Sequence, residues 1–434
     1  MNQETKQDQV ARGRLTFLRD AAFWVRALTV LAIVLGLNLV IEFGVLTHAF
    51  PLLHKWQLGS HRFLCGMLPR SVNPKWTRLV VIDDELHEEL REPTDRKYLA
   101  MLVRRAAQGD AAVIVLDFQL TVPIGHVEGD DAPERKEMND DLRNAIFDAA
   151  KLGVPVIVPC WIDKRLNRVT PSIYPDSALP LAEETNGTRV CAYLACARRG
   201  NVNPADDERK IPLKTQLQGN AQCEDSLALA ASSAYEEATD RQPRIREMRA
   251  IADDIKSYQY PFASFMPEKQ FQTIPIRDLA AGNQEAIREC RTRIVIIGGK
   301  WKEDLGQGQA HDVHNTPIGP LTGIYLQANY IEALLDDRYM KEVPPLPALL
   351  FDLILGSLLY VSYHKAKTTR GRYIVLSVFL LPLIVGYIIF VTLGYYLDFV
   401  LPLVACFVHL GIEFVRDDIE IRRESQRGPA GTIG

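Results

Sequence analysis

"TRLVVIDDELHEEL" (residues 77–90) opens on an apolar, β-branched run and ends it on two carboxylates, Asp83 and Asp84. The pattern returns in "AAVIVLDF" (111–118), which ends on Asp117, and again in "VPVIVP" (154–159) and "RIVIIGG" (293–299). Between the first three runs lie "DRKYLAMLVRRAAQG" (95–109) and "EMNDDLRNAIFDAAKLG" (137–153), apolar at helical spacing and stopped by Gly109 and Gly153. Strands that are apolar throughout and alternate with helices describe a parallel sheet covered on both faces, joined by right-handed crossovers. The expected fold is a three-layer α/β domain with a mostly parallel sheet. A weaker strand signal falls at 188–195, and 204–222 reads as a surface loop. Residues 224–254 read as helical, interrupted near Pro243, and "GIYLQANYIEALLDD" (323–337) reads as a helix that packs on the sheet and leads toward the membrane.

Working outward, this domain is bracketed by apolar blocks. Residues 27–46, "ALTVLAIVLGLNLVIEFGVL", supply the roughly 20 apolar residues of a spanning helix, preceded by Lys6, Arg12, Arg14, Arg19 and Arg26. A cleaved signal peptide has a shorter apolar core, about 7–15 residues, and a small-residue cleavage site that is missing here. Three further candidate spans follow at 346–364, 373–394 and 397–415. The connection "KAKTTRGR" between the first two is basic, whereas "GYYLD" before the last has no Lys or Arg. The positive-inside rule then gives one topology. Residues 1–26 form a cytoplasmic basic N-terminus, 47–345 an extracytoplasmic domain, and 416–434 a cytoplasmic tail. The expected location is a bacterial inner (plasma) membrane, crossed several times, with membrane lipid as a partner. A formal net charge of −4 argues against nucleic acid as a partner.

The carboxylates at strand ends are the candidate site. Ligands of parallel sheets bind at the C-terminal edge of the strands, so Asp83, Asp84 and Asp117 are placed to contact a ligand or a cation. The same residues could instead cap helices or brace loops. "AHDVHNTPIG" (310–319) offers His311, Asp312 and His314 as a weak metal set, or simply a loop turning into the last helix. The Gly-rich "GGKWKEDLGQGQ" (298–309) lacks the Gly-Lys-Ser/Thr of a phosphate loop, and no cofactor is expected. No Gly-x-Ser-x-Gly, His-Glu-x-x-His or Cys-x-x-Cys is present, and no enzymatic activity is expected. An oxidising compartment permits disulfides, and Cys191 with Cys196 is the candidate pair.

"VVIDDE", "RKYLAMLVRRAAQGDAAVIVLDFQL", "YPFASF" (260–265), "RIVIIGGKWKEDLG" and "NTPIGPLTGIYLQANYIEALL", in that order and framed by one apolar helix before and three after, resemble the type 2 CHASE domain. That family is the second class of cyclase/histidine kinase-associated sensory extracellular domains. The resemblance implies a sensor of extracytoplasmic signals, usually coupled to a cytoplasmic kinase or cyclase, and it carries no defined ligand residues. Only "RDDIEIRRESQRGPAGTIG" follows Val415. The expectation is therefore a transmembrane sensor, a homodimer or higher oligomer, that relays to a separate cytoplasmic output protein such as a kinase, cyclase or protease. The alternative is an oligomeric membrane effector or pore-like component, as in a defence system, with the outer domain as scaffold.

Overall fold

The computed structural model describes residues 73–90, 95–118, 133–163, 168–171, 197–201, 209–216, 223–240, 245, 260–300 and 312–343, with isolated positions at 58, 59, 61, 62, 388, 392–396 and 419. The chain divides into two units, one of residues 69–342 and one of 1–68 with 343–434. The four apolar segments at 27–46, 346–364, 373–394 and 397–415 belong to the second unit and lie almost wholly outside the described residues. Among the described residues, no helix is long and apolar enough to cross a membrane.

In the first unit the expected strand–helix alternation is present. β1 (Thr77–Ile82), α1 (Asp84–Leu90), α2 (Arg96–Gln108), β2 (Val113–Asp117), α3 (Pro133–Lys151) and β3 (Val156–Asp163) follow one another. β4 (Arg168–Pro171), β5 (Ala197–Asn201), β6 (Lys214–Gln216), β7 (Cys223–Asp225) and α4 (Leu227–Thr239) come next. The chain continues through β8 (Phe262–Ala263), α5 (Ile276–Ala281), α6 (Gln284–Glu289) and β9 (Ile294–Gly299). It then forms the hairpin β10 (Val313–Thr316) and β11 (Gly319–Thr322), helix α7 (Gly323–Leu335) and β12 (Tyr339–Glu342).

The main sheet has the order β1-β9-β2-β3-β4, with β5 also paired to β3. β1/β9, β9/β2, β2/β3 and β3/β5 are parallel, and β4 runs antiparallel to β3. Side chains along each strand alternate between two cores, as the period of two requires. Leu79, Val113, Val115, Ile157, Ile294 and Ile296 share one core with α4 and α7. Val80, Ile82, Ile114, Leu116, Val156, Val158, Val295 and Ile297 share the other with α2, α3, α5 and α6. These are the three layers. Burying each such side chain contributes about 1.5–3 kcal/mol. The free edge of β1 is covered rather than open: Leu79 N donates to Gln272 O (3.1 Å), and Ile274 N donates to Leu79 O (2.8 Å).

α2 starts where Asp95 accepts from the N–H groups of Lys97 and Tyr98, and it buries Leu99, Leu102, Val103 and Ala106. Gly109 follows it, but its φ of −77° is not the left-handed cap that a helix-stopping glycine supplies. Glycine is required there because a Cβ would stand 2.3 Å from Ile287 O and 2.9 Å from Cys290 Cβ. Gly109→Ala is expected to destabilise the domain by about 1–3 kcal/mol, the usual cost of overpacking, seen as a lower denaturation midpoint. Gly153, with φ +79°, does fit the expected stop.

Two expectations are corrected. Residues 204–222 are not a surface loop throughout: Ile211 and Leu213 are fully buried, and β6 pairs antiparallel with β7. Charged neighbours and Pro212 conceal the alternation of those two apolar side chains. Residues 313–322 are a β-hairpin rather than a loop, closed by Gly319 at φ +117° and by a hydrogen bond from Thr316 Oγ1 to Gly319 O (2.5 Å). The segment 188–195 lies outside the described residues, and α4 ends at Thr239, before Pro243.

Candidate functional site

The C-terminal ends of β1, β9 and β2 lie side by side, with Ile82 opposite Gly299 and Asp117 opposite Gly298. Asp83 leaves β1 to cap α1: its Oδ1 accepts from Leu86 N (3.0 Å), and its carbonyl accepts from His87 N (2.9 Å). Asp84 is exposed in the first helical turn, where a negative charge is favourable. β9 separates β1 from β2, so the backbones at Asp83 and Asp117 are about 10 Å apart, two strand spacings. The charges Asp117 responds to are Asp312 and His314, not Asp83.

Asp117 shares the parity of Val113 and Val115 and so faces the α7 layer. Burial pushes its carboxyl up to about 7; the negative charge of Asp312 adds to the rise, and His314 opposes it. His314 Nε2 lies 2.9 Å from Asp312 Oδ1. Asp312 also meets the start of α7. Its carbonyl accepts from Gly323 N (3.0 Å), and its carboxylate fills the space over Gly323, only 1.8 Å from where a Cβ would stand. One residue on, Ile324 packs on Gly298, where a Cβ would be 2.9 Å from Ile324 Cδ1. Asp117, the hairpin and the first turn of α7 thus form one cluster, and two glycines permit its close contacts. Sequence reading treated Asp117 and the Asp312–His314 pair as separate candidates, because nothing in the spacing brings residues this far apart together.

Lys300, just past β9, completes this edge. Its N–H donates to Ile82 O (2.8 Å). Its ammonium bonds Glu268 Oε2 (2.5 Å), which raises its pKa, and lies 5.3 Å from the centroid of the Tyr325 ring. Residues 301–311, including His311, lie outside the described residues, as do Cys191 and Cys196. Among the described residues, no three His, Cys, Asp or Glu side chains gather closely enough to hold a metal ion. Cys290 is a free, buried thiol that burial pushes up to about 12, so it is unreactive near neutrality.

The opposite end of α7 carries a second polar group. Glu332, fully buried, accepts from the backbone N–H groups of Lys75 (3.0 Å), Trp76 (2.8 Å) and Thr77 (2.8 Å) and from Thr77 Oγ1 (2.8 Å). Arg338, 4% exposed, lies 3.8 Å from Glu332 and 3.3 Å from Asp336. Asp336 also accepts from Trp76 Nε1 (3.0 Å) and pairs with Lys75 (3.4 Å). Sequence reading missed this latch. Its one signal was an acid set among apolar positions in "YIEALL".

Charged groups gathered at the C-terminal edge of a parallel α/β sheet stand where ligands of such sheets bind. The chain belongs to the CHASE2 domain family, whose profile matches residues 27–362, and that family is one of sensory extracellular-type domains. No curated protein and no solved structure matches the chain.

Proposed function

We propose that this protein is a transmembrane sensor of the plasma membrane. Its CHASE2 domain detects an extracytoplasmic signal and relays it through the flanking helices to a separate output protein in the cytoplasm, such as a kinase, cyclase or protease. The observation that carries this reading is the extent of the family match, which takes in the apolar segments at 27–46 and 346–362 as well as the domain between them. The signal site is the C-terminal sheet edge. Asp117 is its central residue, with Asp83 and Asp84 on the border beyond β9. Asp117 leads because the carboxylate of Asp83 is engaged as a helix cap. A carboxyl that titrates near neutrality can change charge in response to a bound cation, a basic ligand or pH. The working form is a homodimer or higher oligomer.

The topology is directly testable. Alkaline phosphatase fused after Pro345 is expected to be active, and fused after Thr369, in the basic connection, to be inactive. Activity of both fusions, or of neither, would refute the topology.

A further inference from the structure

We infer that α7 is the relay of this domain: a buried lever that joins the signal cluster at its first turn to the latch holding the start of β1 at its last. The inference rests on the sensor reading above and names its internal mechanism.

Three observations carry it. Every residue of α7, from Gly323 to Leu335, is buried. A helix enclosed on all sides in a close-packed core passes strain along, because such an interior is little compressible. Thirteen residues at 1.5 Å each make it about 20 Å long, roughly the length of the six-residue strands β1 and β9 on which it packs. Its ends are tied to different things. At Gly323 and Ile324 it is wedged against Asp312 and Gly298, with no room for a Cβ at either glycine. At Glu332 it grips three consecutive backbone N–H groups of residues 75–77. Those residues lie at the start of the first strand, and the helix is followed directly by β12 and the end of the unit at Glu342. Both ends of the domain's chain are therefore held at one place, by the end of α7 that faces away from the signal edge. A ligand that moves Asp312 off Gly323 changes the seat of α7, and the change reaches the chain ends through Glu332. Small shifts at packed contacts become discrete rearrangements because such contacts do not deform smoothly.

The test is hydrogen exchange on the full chain in detergent, followed by mass spectrometry of peptides covering 75–80, 113–117 and 312–322. Gly323→Ala forces the carboxylate of Asp312 aside. The expected result is a tenfold or greater loss of protection at 75–77, with 113–117 unchanged. Loss confined to 312–322 would overturn the relay while leaving the sensor reading standing. If Gly323→Ala loosens the whole domain, Asp312→Ala, which takes the carboxylate off Gly323 without adding bulk, decides by the same two outcomes. Coupling is reciprocal, so Glu332→Gln must alter protection at 312–322. No change there would also overturn the relay.

Discussion

Glu332→Ala is expected to cost the domain about 3–5 kcal/mol, the range for breaking a buried ionic hydrogen-bond network. The substitution removes the acceptor of three backbone N–H groups and one hydroxyl, and it takes one carboxylate away from the buried Arg338. Each orphaned buried donor carries a desolvation penalty of about 1–3 kcal/mol, although water entering the gap will recover part of it. Trp76 bonds the same latch through Asp336 and stacks tilted against Tyr235 at 5.8 Å. Its fluorescence is therefore expected to report the loss, with a melting temperature lower by about 10 °C. Glu332→Gln keeps one acceptor oxygen and should cost about half as much. If Glu332→Ala melts within a degree or two of the parent, the latch does not hold β1.

The second large effect is on pH dependence, and its sign is opposite to that of most carboxylates. Folded Asp117 holds its proton to about pH 7, whereas the unfolded chain releases it near the ordinary value of 3.8. The folded state therefore binds more protons between these limits. The contribution of Asp117 is fully present below about pH 4 and is lost as pH rises through 7. About three pH units correspond to an upper bound of about 4 kcal/mol. Because the residue is only partly buried, about 1–2 kcal/mol is the realistic effect. Asp117→Asn mimics the protonated acid. The variant is expected to be more stable than the parent at pH 8, with the difference closing toward pH 4. Denaturation midpoints at pH 4, 6 and 8 measure this. Parallel curves for the two proteins would show that the carboxyl is not held protonated by the fold.

The layered fold was legible because its determinants are local. Runs such as "RLVVID" and "AAVIVLDF" need both faces covered, and Gly153 stops its helix through its own left-handed backbone. The insertion of β9 between β1 and β2 was not legible, since strand order depends on long-range pairing that no spacing encodes. The buried strand segment around Ile211 and Leu213 was hidden by its charged neighbours. Asp117 stood out because an acid ending an apolar strand is unusual; its neighbours Asp312 and His314 are brought to it only by the return of the chain through β9 and the hairpin. Glu332 escaped notice because an acid in an apolar helix looks like an exposed position until the partners that bury it are known. The role of Gly109 is likewise visible only beside Ile287.

The central claim, a sensor that signals through a partner, is tested most directly by purifying the full-length protein from its native membrane in mild detergent and identifying what accompanies it by mass spectrometry. The expected result is a specific co-purifying kinase, cyclase or protease whose association weakens in Glu332→Gln. A homo-oligomer with no partner, conducting ions in liposomes, would contradict the claim and make the membrane assembly itself the output.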